Sequence, residues 1–128
     1  MTTWSNDELN KIGNAEELKI AALRADGTLR KLVIIWVVRL GDELYVRSVK
    51  GHKGAWFRGV LERHEGRIQA GGIERYVSFI EEADAGLNDQ IDAAYRTKYK
   101  RYPTSVDHIN SPEARAATIR LAPREAGG

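Results

Sequence analysis

Residues 33–38 read Val33-Ile34-Ile35-Trp36-Val37-Val38, and turn signals stand on both sides, Asp26-Gly27 before and Gly41-Asp42 after. β-Branched and aromatic side chains lose rotamer freedom in a helix but fit a pleated strand. The apolar run does not alternate, so it predicts a strand over residues 29–40 that is central and covered on both faces. Asp-Gly and Gly-Asp pairs tolerate the positive φ of tight hairpins. Residues 17–24 and 43–49 are therefore its antiparallel neighbours. In the second of these, Leu44 and Val46 share one face while Tyr45 and Arg47 share the other.

Around this meander the chain alternates helix and strand signals. Ser5-Asn6-Asp7-Glu8 has capping-box spacing, flanked by Trp4 and Leu9 at staple positions, and predicts a helix over 6–12 stopped by Gly13. A short helix is expected over 55–63 with Trp56, Val60 and Phe57 inward. Two strands, 65–70 and 73–80, follow around Gly71-Gly72. Leu87, Ile91, Tyr95 and Tyr99 stand four apart, and Tyr102 extends that helical stripe until Pro103 ends it. After a loop, Ser111-Pro112-Glu113 starts another helical turn, and a last strand covers 118–121. The expected fold is α+β, a six-stranded, mostly antiparallel split β-barrel with flanking helices. Residues 1–128 read as one domain, with 1–16 as an N-terminal helical segment and 122–128 as a frayed tail.

Several functions are made implausible by what the chain lacks. With no cysteine among 128 residues there is no disulfide, zinc-thiolate site or thiol nucleophile, which fits a reducing cytoplasm. His52, His64 and His108 lie far apart, so no metal motif is present. The longest apolar run is too short to span a bilayer, and the acidic, polar N-terminus is not a signal peptide. Net charge is only +2, with acids and bases interleaved. The most basic stretch, Arg96, Lys98, Lys100 and Arg101, reads as a solvated helix face rather than a nucleic-acid site.

The stretch with chemical content is Arg47-Ser48-Val49-Lys50-Gly51-His52-Lys53-Gly54-Ala55-Trp56-Phe57-Arg58. A strand ends in serine, a basic loop with two glycines follows, and a helix starts at once. Glycines let backbone approach a ligand closely, and free amides at a helix start favour an anion. Ser48 offers a hydroxyl, while Lys50, Lys53 and Arg58 offer charge. No triphosphate or dinucleotide fingerprint is present. No Ser-His-Asp ordering or carboxylate pair stands out either; His52 and Tyr45 are the candidate proton donors.

Residues from Leu29 to about Ile68 resemble the core of the FMN-binding split-barrel superfamily, the group of pyridoxamine-phosphate oxidases, general stress proteins and deazaflavin-dependent nitroreductases. The similar elements are Gly27 with Arg30, the Gly41-Asp42 hairpin, Ser48 with Gly51, the Ala55-Trp56 helix start, and Glu65-Gly66. The whole chain is similar to an uncharacterised bacterial family within that superfamily, through its Trp4 capping box, Gly54 to Arg58, and Pro112 to Arg115. The resemblance implies a homodimeric split barrel with FMN or a deazaflavin against it. The cofactor phosphate would be met by Ser48, Lys50 and Arg58 on the Gly51-Lys53 loop, with Arg30 and Arg47 as further candidates. Trp56 would either wall the ring or plug the core. It implies an oxidoreductase acting on a small organic substrate; the alternative is a non-catalytic module that holds a cofactor or another planar ligand.

Overall fold

The computed structural model describes residues 3–124. Helix α1 (Asn6–Gly13) starts on the expected box: the Ser5 hydroxyl accepts from the Glu8 amide, and the Glu8 carboxylate accepts from the Ser5 amide. Trp4 and Leu9 both enter the core, and the Trp4 indole donates to the Leu121 carbonyl at 2.9 Å. Strands β1 (Leu18–Ala22), β2 (Val33–Ile35), β3 (Val37–Leu40) and β4 (Glu43–Arg47) follow. A single 3-10 turn, Gly51–Lys53, leads into α2 (Ala55–Glu62). Next come β5 (Glu65–Ala70), β6 (Ile73–Glu81), α3 (Ala85–Lys98), α4 (Pro103–Ile109), α5 (Pro112–Arg115) and β7 (Thr118–Pro123).

The class is α+β, and the strands form one antiparallel sheet ordered β2-β1-β5-β6-β7-β4-β3. Its two outermost strands are consecutive pieces of one segment, parted only at Trp36. The sheet therefore curls back on itself into a nearly closed barrel. There are seven strands rather than six because the long apolar strand breaks. Nor is that strand central: β2 pairs only with β1, β3 only with β4, and Ile34 is 58% exposed. Its apolar residues serve different bodies. Val37 enters the barrel core, with Val33 and Ile35 packed against it, whereas Val38 faces the helices. Burial on both faces belongs instead to β4, where Leu44 and Val46 fill the barrel and Tyr45 lies in the second cluster.

That second cluster sits outside the barrel, where Ile91, Tyr95 and Tyr99 of the α3 stripe meet Val106 and Ile109. Residues 103–109, read as loop, are helix α4. Pro103 takes the first helical position, where its missing N–H costs nothing, and Val106 and Ile109 share the buried face. The final strand also runs further than expected, since Ala122 and Pro123 pair with Ser78 and Val77. Residues 125–128 of the expected tail lie outside the described residues. No helix among the described residues is long and apolar enough to cross a membrane.

Two buried polar arrangements fasten the helices to the barrel. The Arg47 side chain, fully buried, donates from Nε to Thr118 Oγ1 at 2.9 Å. Its Nη1 reaches Asp92 Oδ1 at 2.5 Å, Asn110 Oδ1 at 2.9 Å and the Ile109 carbonyl at 3.4 Å. Its Nη2 reaches Asn88 Oδ1 at 2.8 Å and the Asn88 carbonyl at 3.1 Å. Arg115 holds the other Asp92 oxygen at 2.9 Å. The second arrangement lies at the strand break. Tyr99 Oη accepts from the Val37 amide at 3.2 Å, and Lys98 Nζ donates to the Val37 and Ala15 carbonyls, both at 2.6 Å. Helix α3 thus satisfies backbone that strand pairing leaves at Val37.

Removing a buried charge partner strands the other. Arg47→Ala is expected to lower unfolding free energy by about 3–5 kcal/mol, read from urea titration. Burial, opposed weakly by Glu16, pulls Lys98 down from 10.5 to about 8. Between those values the unfolded chain binds the proton and the folded chain does not, so stability rises with pH over that window. The urea midpoint should increase from pH 8 to 9.5, and the increase should shrink in Lys98→Met.

Candidate functional site

Strands β3 and β4 pair from Leu40↔Glu43 to Val37↔Val46. Continuing that register would set Trp36 opposite Arg47, Ile35 opposite Ser48, Ile34 opposite Val49, and Val33 opposite Lys50. The ladder stops instead, because β2 swings away at Trp36 to pair with β1 from Leu18↔Ile35 to Ile20↔Val33. Every residue of the unmade ladder lines a cavity of about 580 Å³. Gly54, Ala55 and Trp56 at the start of α2, with Ser105 and Ile109 of α4, complete its wall. The site is a gap between two strands that part.

Its walls are aliphatic and indole. Trp36 is fixed from behind by Tyr99, the rings stacked at 3.9 Å and 5°. Trp56 is half-buried, packs against the barrel core and meets Phe57 edge-on at 6.0 Å, so it both supports the core and walls the cavity. The fully inward aromatic of α2 is Phe57. Polar groups are few: Ser48, Lys50, Ser105 and part of Arg47.

Of the residues singled out in the sequence, Ser48, Lys50 and Trp56 meet at this cavity. Arg47 borders it, yet all five of its N–H donors are engaged inside the protein, leaving none for a ligand. Arg30 is ion-paired with Glu62, and its side chain fills the space beside Gly59, away from the cavity. Arg58 is exposed, without a side-chain partner among the described residues, and outside the cavity wall. Lys53 lies in an adjoining hollow with Lys50. Tyr45 is buried under α3, and His52 bonds the Ala116 carbonyl at 2.9 Å, so neither candidate proton donor lines the cavity.

The loop glycines make room for protein. At Gly51, with φ +64°, a β-carbon would fall 2.5 Å from Glu113 Cγ and 2.9 Å from the Glu113 carbonyl oxygen. At Gly54 it would fall 2.4 Å from Ser48 Oγ. The first glycine admits α5 and the second admits the serine. Sequence reasoning missed Trp36, Ile34, Ser105 and Ile109. Trp36 was hidden inside an apolar run, and the α4 pair lay in a segment read as loop, although Val106 and Ile109 carried helical spacing.

Residues 8–121 match the family described as an uncharacterized protein conserved in bacteria, DUF2255. The chain belongs to that family. No curated protein matches this DUF2255 chain. Among solved structures it is similar to a putative pyridoxamine 5′-phosphate oxidase from Listeria innocua, at 15% identity and TM-score 0.67, covering 94% of this chain and 93% of that one. It is similar to the haem storage protein HutZ from Vibrio cholerae, at 14% identity and TM-score 0.68, covering 97% and 92%. A FAD-binding protein from Mesorhizobium loti is similar at 20% identity and TM-score 0.57, covering 97% and 93%. These likenesses establish the split-barrel fold of this DUF2255 protein.

Because Gly51 combines a left-handed backbone with a crowded neighbour, Gly51→Ala is expected to cost roughly 1–3 kcal/mol. Arg58→Ala, at an exposed and unpaired position, should change stability by less than about 0.5 kcal/mol. Parallel thermal melts of the two variants compare them directly.

Proposed function

We propose that this DUF2255 protein binds a flavin-type cofactor, FMN or a deazaflavin, with the ring in the gap between β2 and residues 47–50. The unmade ladder carries the reading: a slot with aliphatic and indole walls that ends at Lys50, which pairs with none of the described residues. A planar ring gains most from contact with Trp36, Trp56 and Ile34. Lys50 and the Ser48 hydroxyl would meet its phosphate. The proteins with similar folds include one described as FAD-binding and one described as a haem storage protein. The wall favours the flavin, since among the described residues no His, Cys, Met or Tyr side chain lines the cavity to serve as an axial ligand to haem iron.

A bound flavin supplies hydride or single-electron chemistry. The chain binds the ring, orients it through the two indoles and keeps water from its apolar face. On this reading the protein is an oxidoreductase for a small organic substrate. A second reading, a non-catalytic module holding the same ligand, is favoured by one observation: among the described residues no carboxylate, imidazole or phenol lines the cavity to exchange a proton with substrate. Leu32, Ile34 and Val49 leave apolar surface exposed beside the site, and we infer that a second copy covers it in a cytoplasmic homodimer.

Adding FMN to the purified protein should perturb the flavin visible band and quench tryptophan fluorescence. Trp56→Leu, with its fold checked by circular dichroism, should weaken FMN by about three- to tenfold through lost ring contact. No change in either spectrum on adding FMN or a deazaflavin would refute the proposal. Turnover with a reductant and a small acceptor would separate the enzyme from the module.

A further inference from the structure

Beyond Lys50 the cavity meets a second hollow of about 470 Å³, bordered by Val49, Lys50, Lys53, His108, Ser111 and Glu113. Val49 and Lys50 belong to both walls, so the two spaces share one boundary. The chain neutralises many of its other cations internally: Arg47, Arg63, Arg67, Arg75, Arg101 and Arg115 each reach a carboxylate. Lys50, Lys53 and His108 do not. None of their side chains makes a hydrogen bond or ion pair with a described residue. Even Glu113, on the same rim, pairs with none of them; its stem packs against Gly51 instead. The Ser111 hydroxyl accepts from the Ala114 amide at 3.2 Å and keeps its own proton to donate.

Two distant parts of the chain, the 50–53 loop and the end of α4, thus bring basic groups to one hollow, none of them ion-paired with a described residue, with Glu113 the one carboxylate among its described lining residues. Gathering such charges costs free energy, and an anion among them reverses the sign of that cost. Lys50 at the shared boundary already faces the position given to a first phosphate. Lys53 and His108 lie on the far side of it.

We propose that the hollow between Lys53 and His108 is a second anion subsite, and that the ligand is a planar ring whose tail carries at least two anionic groups. Its tail is a diphosphate or an oligocarboxylate chain, and a ring ending in one phosphate leaves the subsite unfilled. The inference rests on the flavin reading for its apolar end, while its charged end stands on the hollow alone. The groups facing His108 are Lys50 and Lys53 from the loop and Glu113 from α5, with Asp107 adjacent on its own helix.

Riboflavin, FMN, FAD and a deazaflavin with a glutamate tail are titrated into wild type and Lys53→Ala/His108→Ala at low salt. FAD or the glutamylated deazaflavin should bind wild type about fivefold tighter than FMN, as expected for two exposed charge contacts. That advantage should disappear in the double variant and in high salt, with riboflavin unchanged; the arm that shows it identifies the tail. Equal affinity for FMN and both long-tailed ligands, or an advantage that survives the double variant, overturns the proposal and leaves the ring site standing. If no flavin binds, the flavin reading has failed, and tripolyphosphate decides the subsite by NMR. An upward shift of the His108 titration midpoint, with His52 and His64 unmoved, supports it; equal behaviour of all three rings overturns it.

Discussion

A guanidinium sealed from water must find an acceptor for every N–H, and Arg47 finds them on three elements at once. Thr118 lies on β7, Asn88 and Asp92 on α3, Ile109 ends α4, and Asn110 caps it. Each contact would be modest alone. Together they leave the helices one seating on the barrel, since any shift would leave part of a buried charge without a partner. Arg115 extends the arrangement by holding the other Asp92 oxygen and Asp89. The segment that begins the basic loop therefore leaves the sheet from a fixed point.

The same helix also governs where the strand parts. Trp36 stacks on Tyr99, and Lys98 and Tyr99 take the backbone groups of Val37. With those groups satisfied from the helix side, β2 can leave β4 without stranding polar backbone, and it recovers its pairing on β1. Burial pushes the phenols of Tyr95 and Tyr99 well above the usual tyrosine range, which keeps both neutral in this packing. Core packing and cavity formation are two results of one aromatic stripe.

Local signals in the sequence were enough for most elements. The capping box at Ser5, the turn at Asp26-Gly27, the tight hairpin at Gly41-Asp42, the Gly71-Gly72 turn and the Ser111 cap each depend on neighbours within a few residues, and each forms where its signal lies. What could not be read was the fate of residues 33–38. An apolar run reports that its side chains are covered, and here different bodies cover different residues while Ile34 stays outside. A bend at Trp36 has no sequence signature, because its cause is a tyrosine far along the chain. Arg47 shows the same difficulty. Its charge and its place before Ser48 suited a ligand contact, but the acceptors that claim it come from α3 and the C-terminal segments. Lys50, Ser48 and Trp56 were legible because the loop that brings them together is short.

The cavity is bounded by strands whose other sides are already committed, β2 to β1 and β4 to β7. Widening or closing it would require unpicking hydrogen-bonded backbone rather than turning side chains. A ligand bound there, as proposed, would lose little binding energy to ordering its host. On the proposed reading, paired main chain would frame the space offered to a planar ring, and the wall side chains would only trim it.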